Sequence, residues 1–214
     1  RQEKPRDLGL HRKKGVVRVR VQEGLEDKAS VISIYHGESK WSDEAHTDLV
    51  SLKSYLSIRL REVLREELGA AYAPQVSADF ERIPYDAYTL TIGYQCKTAD
   101  IEKLERATRE VIAEVKAKGP EPVYVTKLIN QRTREVEEYY RSNNFWLEHL
   151  ANKYELGEDP RTILILHDLT QRVTSDNIRL AARRFLRDDQ YVDAQLRPKK
   201  ADSPLAVTPP RGAE

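Results

Sequence analysis

The chain contains no methionine and a single cysteine, Cys96, among its 214 residues. One thiol excludes a disulfide framework, a cysteine-ligated zinc finger and an iron–sulfur cluster within a single chain. No apolar run approaches the roughly 20 residues that a membrane-spanning helix needs. The stretch from Arg1 to Arg20 is charged and lacks the apolar core of a secretory signal. An excess of one charge is missing too, because 36 Lys and Arg oppose 35 Asp and Glu. That balance argues against a globally basic nucleic-acid binder and against an acidic solvating chain. The glycines stand singly, so neither a P-loop nor a G-x-G-x-x-G phosphate cradle occurs. No G-x-S-x-G nucleophile elbow occurs either. With Arg1 at its start and no methionine, the chain is expected to be a processed product or a segment of something longer.

Metal-ligand spacing is also lacking. The histidines are His11, His36, His46, His149 and His167, and no two lie three or four residues apart with a glutamate beside them. A helical zinc peptidase site needs that spacing to bring both rings to one face. His36-Gly37-Glu38 matches half of a zinc deaminase motif, whose P-C-x-x-C half cannot exist with one cysteine. No metal or other cofactor is therefore expected in this chain. Cys96 alternates in step with Leu90, Ile92 and Tyr94, which predicts a buried, inert thiol. The segment Arg12-Lys13-Lys14, with Arg18 and Arg20, could meet phosphates, but no aromatic residues interleave with it. A solvated arm is the expectation, with no nucleic-acid partner.

What is present suits a folded domain, because 39% of the residues are hydrophobic. Val17, Val19 and Val21 alternate with Arg18 and Arg20, a half-buried strand. The segment from Val31 to Tyr35 is apolar on both faces, as in a central strand. Ser42 is placed to cap a helix whose apolar face runs through Leu49, Leu52, Leu56, Leu60 and Leu64 to Gly69. Two alternating runs around Ile83-Pro84-Tyr85-Asp86 predict a hairpin. Helical spacing returns from Asp100 to Gly119-Pro120 and again from Val123 to Arg141. Asn143-Asn144 can cap the next helix, in which Phe145 and Trp146 should pack into the core with Leu150 and Tyr154 near the same face. Asp159 and Pro160 open a further helix, Thr174 caps the last, and Val192, Ala194 and Leu196 alternate in a closing strand. The pattern predicts an α+β domain with a mixed or antiparallel sheet and helices packed on it. Residues 1–14 read as a basic arm or linker, 15–198 as the single domain and 199–214 as a disordered, proline-containing tail.

The most specific segment runs Leu64-Arg65-Glu66-Glu67-Leu68-Gly69-Ala70-Ala71-Tyr72. Arg65 falls in the last helical turn, Gly69 breaks the helix, and Tyr72 leads into the next strand. A guanidinium and a phenol at one end of a sheet can grip a peptide carbonyl. The alternative is an arginine capping its own helix carbonyls and a tyrosine packing at an edge.

This segment resembles the arginine, glycine and tyrosine motif of the M16 zinc metallopeptidases, the pitrilysin and insulin-degrading-enzyme group, in their C-terminal, non-catalytic domains. Further matches follow in order. They are Arg82-Ile83-Pro84-Tyr85 before Tyr88-Thr89-Leu90, Gly119-Pro120, Asn144-Phe145-Trp146, Gly157-Glu158-Asp159-Pro160, and Val173-Thr174 with Ala181-Ala182-Arg183-Arg184-Phe185-Leu186. Together they cover roughly Val16 to Pro198. The resemblance implies a bacterial, periplasmic or otherwise extracytoplasmic multi-domain peptidase. Its catalytic domain holds zinc on an H-x-x-E-H motif, which this chain lacks, so the chain alone should be inactive. It implies that this domain closes a chamber against that N-terminal catalytic domain, in the same polypeptide or a partner subunit. Arg65 and Tyr72, seven residues apart, would then bind the peptide substrate. The second reading is an inactive M16-like peptide-binding or assembly module without a zinc partner. A third is a nucleic-acid-binding domain that uses the basic arm.

Overall fold

The computed structural model describes residues 6, 8, 9 and 11–199. The tail expected at 199–214 therefore lies outside the described residues except for Lys199. Five strands among them form one sheet: β1 (Val16–Gln22), β2 (Ala29–Glu38), β3 (Ala71–Glu81), β4 (Ala87–Cys96) and β5 (Tyr191–Arg197). Their order is β1-β5-β2-β4-β3. β1 runs parallel to β5, and the other neighbours are antiparallel, so the sheet is mixed as expected. The segment that is apolar on both faces does lie in the central strand, β2.

Among the described residues six α-helices accompany the sheet: α1 (Asp43–Leu60), α2 (Ile101–Lys118), α3 (Pro122–Arg141), α4 (Asn143–Glu155), α5 (Leu166–Leu169) and α6 (Ser175–Phe185). Helices α1, α2 and α6 cover one face of the sheet. Leu49, Leu52, Leu56, Ile101, Leu104, Ile178 and Phe185 from these helices meet Val31, Leu90, Ile92 and Cys96 in one core. Full burial of each such side chain contributes about 1.5–3 kcal/mol. α3 forms a second layer on α1 and buries only Leu128 and Val136. The caps at Ser42 and Thr174 form as read, each side-chain oxygen accepting from a backbone N–H three residues on. Gly119 ends α2 at φ +74°, and a Cβ there would meet the backbone oxygen of Ser175 at 2.6 Å.

Local structure departs from the sequence reading in four places. α4 is capped by Ser142, not by Asn143 or Asn144, because Ser142 is the one extended residue between two abutting helices. Pro160–Ile165 winds as 3₁₀ turns, not as an α-helix. There the Tyr140 hydroxyl donates to the carbonyls of Ile163 and Leu164, at 3.0 and 3.1 Å, which an α-helix would need for itself. Phe145 is buried, but Trp146 is half-buried and Tyr154 is 71% exposed. The reason is that α4 lies on the tyrosines ending α3, away from the sheet. Trp146 stacks on Tyr140 and donates its indole N–H to the Tyr140 carbonyl at 3.0 Å. The fourth departure concerns the end of α1.

Candidate functional site

Beyond Leu60 the helix widens into a π-helix over Arg61–Glu67, with Leu68 N–H bonded back to the Val63 carbonyl five residues earlier. Such turns occur mostly as single bulges and often at functional sites. The wider turn lets adjacent Val63 and Leu64 both face the core while Arg61, Arg65, Glu66 and Glu67 face solvent. Gly69 then reverses the chain at φ +61°. Arg65 is exposed and, among the described residues, has neither an ion pair nor a hydrogen bond. It does not cap its own helix. The arginine that anchors this end is Arg59, which pairs with Glu67 at 3.0 Å and Glu62 at 3.5 Å. Tyr124 also bonds Glu62, at 2.5 Å.

Tyr72 is the second residue of β3 and pairs with Gln95. A register shift follows between Tyr72 and Gln75, and Ala73 sits at φ +39°, a region that side chains rarely adopt. Pro74 within the irregularity gives up no ladder hydrogen bond, and β3 is an edge strand, where proline is tolerated. Tyr72 is 61% exposed on the face away from the helices. It lines an open cleft of about 480 Å³ with Gln75, Ser77, Thr91 and Gln95. The π-helix packs against β3, so Arg65 and Tyr72 belong to the same end of the sheet.

The face that carries Tyr72 has two halves. Register places Val17, Val192 and Ile34 in one row, and Val19, Ala194 and Ile32 in the next. Val21 and Leu196 begin a third row, which continues through Ser30 and Gln95 to Tyr72. The β1-β5-β2 half is apolar yet partly open: Val19, Val21, Ile32 and Leu196 are each 39–47% exposed. The β4-β3 half is hydroxyl- and amide-lined. A fully solvated sheet face would carry polar residues across its width.

The remaining candidates fit no metal. Among the described residues no group of three His, Cys, Asp or Glu side chains could hold an ion. His36 is buried at the far end of β2. His46 and His149 face a separate cavity of about 710 Å³ walled by Trp41, Phe80 and Phe145. There His149 is half-buried against Phe145 rather than free in water, its Nδ1 3.0 Å from the Phe145 carbonyl. Cys96 is buried, and burial pushes its thiol up to about 11. The basic segment is partly neutralised, with Arg20 paired to Asp193 at 2.6 Å and Arg12 to Glu81 at 3.4 Å.

A family model described as the peptidase M16 inactive domain matches residues 1–132, more than half of the chain. The chain belongs to this family. No curated protein sequence matches it. The fold is similar to that of the periplasmic protease PqqL from Escherichia coli, with a TM-score of 0.76 at 19% identity over 88% of this chain. A protease from Helicobacter pylori matches with a TM-score of 0.72 at 13% identity over 86% of the chain. The chain spans 21% of the PqqL structure and 45% of the Helicobacter one. The inactive peptidase domain of a putative zinc protease from Bordetella parapertussis matches with a TM-score of 0.67 at 13% identity. There 86% of this chain overlays 98% of that one. The π-turn, the bulge and the two-sided sheet face were not legible in the sequence, because each depends on which neighbour the segment packs against.

Proposed function

We propose that this M16 inactive domain binds peptide substrate and closes the chamber of a zinc metallopeptidase whose zinc lies in a separate catalytic domain. Arg65 and Tyr72 hold the substrate backbone. The observation that carries the reading is their shared state: both are exposed at one end of an edge strand, and Tyr72 lines an open cleft there. Arg65 has no other task among the described residues. An extended peptide along β3 can bond its free edge, with side chains entering the cleft. The apolar half of the same sheet face docks on a neighbouring domain, which accounts for valines and isoleucine left half-open here. Relatives several times longer than this chain support that arrangement, and the periplasmic PqqL supports an extracytoplasmic setting.

The test uses the intact enzyme. Losing one charge-assisted hydrogen bond costs about 1.5–3 kcal/mol. Tyr72→Phe and Arg65→Lys should therefore each lower kcat/KM by about 10- to 150-fold. Tyr72→Phe deletes only the hydroxyl, and Arg65→Lys keeps charge but loses the planar fork. Zinc content and melting temperature should stay at wild-type values. Unchanged efficiency in both variants removes the assignment. An intact gene product that holds no zinc and cleaves no peptide would instead favour an assembly module.

A further inference from the structure

Helix α4 presents Phe145, His149, Asn152 and Leu156 at steps of three and four residues, which puts them on one helical face. That face does not close on the core. α4 packs chiefly on α3 and on the 3₁₀ turns at Pro160–Ile165, and all four residues line the cavity of about 710 Å³. At one end the two sides of the cavity are fastened together, where Lys153 of α4 lies 3.7 Å from Asp43 of α1. The wall opposite α4 is aromatic. The Trp41 ring centroid stands 5.0 Å from that of His46 and 5.2 Å from that of Phe80. On the α4 side the Phe145 and His149 rings lie with centroids 4.0 Å apart. Small-ligand sites are typically concave spaces of about 300–1,000 Å³ with apolar walls and a few placed polar groups.

Those polar groups select the occupant. Arg82, Glu158, Lys153 and Asp43 neutralise one another in a single chain of contacts. Arg132 is left over. It stands four residues from both Leu128 and Val136, the buried positions of α3, and its side chain is only 15% exposed. Among the described residues it makes no hydrogen bond, and its ion pair with Glu135 of the same helix is long, at 3.6 Å. A guanidinium this far from water is costly unless an anion meets it. Burial, with Arg132 nearby, holds the His46 ring below its ordinary value, so it adds no competing charge near neutral pH. The remaining lining carboxylate, Glu148, is exposed at the rim and accepts from Asn144 at 2.7 Å. A cation is therefore disfavoured inside. Water alone would find few partners on the Trp41, Phe80 and Phe145 rings.

We propose that this cavity binds an aromatic carboxylate, either the C-terminal residue of a short peptide or a free aromatic acid. Arg132 takes the carboxylate, and the ring lies among Trp41, Phe80 and Phe145. The exposed Asn144, Glu148 and Asn152 leave the way in along α4. The site is on the helix side of the sheet, whereas Tyr72 faces away from the helices, so it is independent of the Arg65 and Tyr72 assignment.

Calorimetric titration of the chain with the tripeptide Gly-Gly-Phe, with its C-terminal amide and with phenylpropionate tests this at constant ionic strength. One equivalent of carboxylate ligand should bind saturably, and Gly-Gly-Phe should bind about 10-fold or more tighter than its amide. Tighter binding of Gly-Gly-Phe than of phenylpropionate identifies a peptide end as the source, and the reverse identifies a free acid. Arg132→Gln should bring Gly-Gly-Phe and its amide to the same affinity. Asn152→Trp, on an exposed residue, fills the cavity from α4 and should abolish binding of both carboxylates. The comparison of acid with amide needs no variant, so a poorly folded substitution leaves the test standing. Equal affinity of Gly-Gly-Phe and its amide for the wild-type chain overturns the proposal. So does the absence of saturable binding by either carboxylate, or binding that both substitutions leave unchanged.

Discussion

At the scale of single residues, burial and backbone geometry set the expected responses. Cys96 sits in the core with its thiol pushed up to about 11, chiefly by burial. It should not react with an aromatic disulfide reagent at about pH 8 in the folded chain, and should react fully in denaturant. A fast reaction without denaturant would place it outside the core. Phe145 is buried and stacked on Tyr139 with centroids 5.3 Å apart, whereas Trp146 is half-buried on the outer layer. Phe145→Ala should destabilise by about 3–5 kcal/mol, and Trp146→Ala by clearly less, as read by chemical denaturation. Gly119→Ala combines a positive φ with a clash against the Ser175 backbone. It should cost more than the roughly 1 kcal/mol of an ordinary strained glycine position. These sites show what one residue type discloses. An alternating pattern marked Cys96, and Gly119-Pro120 marked the end of a helical period. Nothing in Phe145-Trp146 says which ring turns inward, because the helix that carries them packs on tyrosines and not on the sheet.

At the scale of elements, one ion cluster ties the β3–β4 hairpin and α1 to α4. Glu158 bonds Arg82 and accepts from Lys153 at 2.9 Å, and Lys153 lies 3.7 Å from Asp43. Arg82 stacks over Trp41, 4.8 Å from its ring centroid. The Arg82 and Lys153 hydrogen bonds hold the Glu158 carboxyl at about 2, against an ordinary value of 4.5. A depressed carboxyl stabilises the fold above its unfolded value and loses that contribution as pH falls through the folded one. Solvent reaches this cluster, so screening limits the effect to about 1–2 kcal/mol. Glu158→Gln should be less stable than wild type near neutral pH, and the gap should close as pH drops from about 5 to about 2. A gap independent of pH would assign the effect to packing instead. The helices, the hairpin and most caps were readable from period and cap residues, since these are local. The π-turn was not. It arises because both Val63 and Leu64 are drawn into the core, and that demand comes from the sheet beneath them.

At the scale of the whole molecule, the sheet separates two environments. One face is sealed by α1, α2 and α6, and the other is half apolar and half polar. Val19→Thr combined with Val21→Thr keeps β-branched residues on an edge strand. It should change the stability of the isolated chain by no more than about 1 kcal/mol. If that face docks on a catalytic domain, the same pair should weaken association or lower the melting temperature of the intact enzyme well beyond this. Equal effects in chain and enzyme would mean the face stays open to water.

What the sequence by itself determined is the class of the domain and its chemical limits. Apolar periods of two and of three to four residues specify strands and helices. No two histidines have the spacing of a helical zinc-peptidase motif, and the order of short motifs around Arg65, Gly69 and Tyr72 points to the M16 inactive domain. Tertiary structure alone decided where those residues stand. Whether Arg65 caps its helix or stays free depends on Arg59 already holding Glu62 and Glu67. Whether Tyr72 packs or projects depends on the bulge at Ala73 and on β3 having no outer neighbour among the described residues. Exposure is a property of the space left between packed elements, and residues distant in the chain fill that space, so no local pattern encodes it.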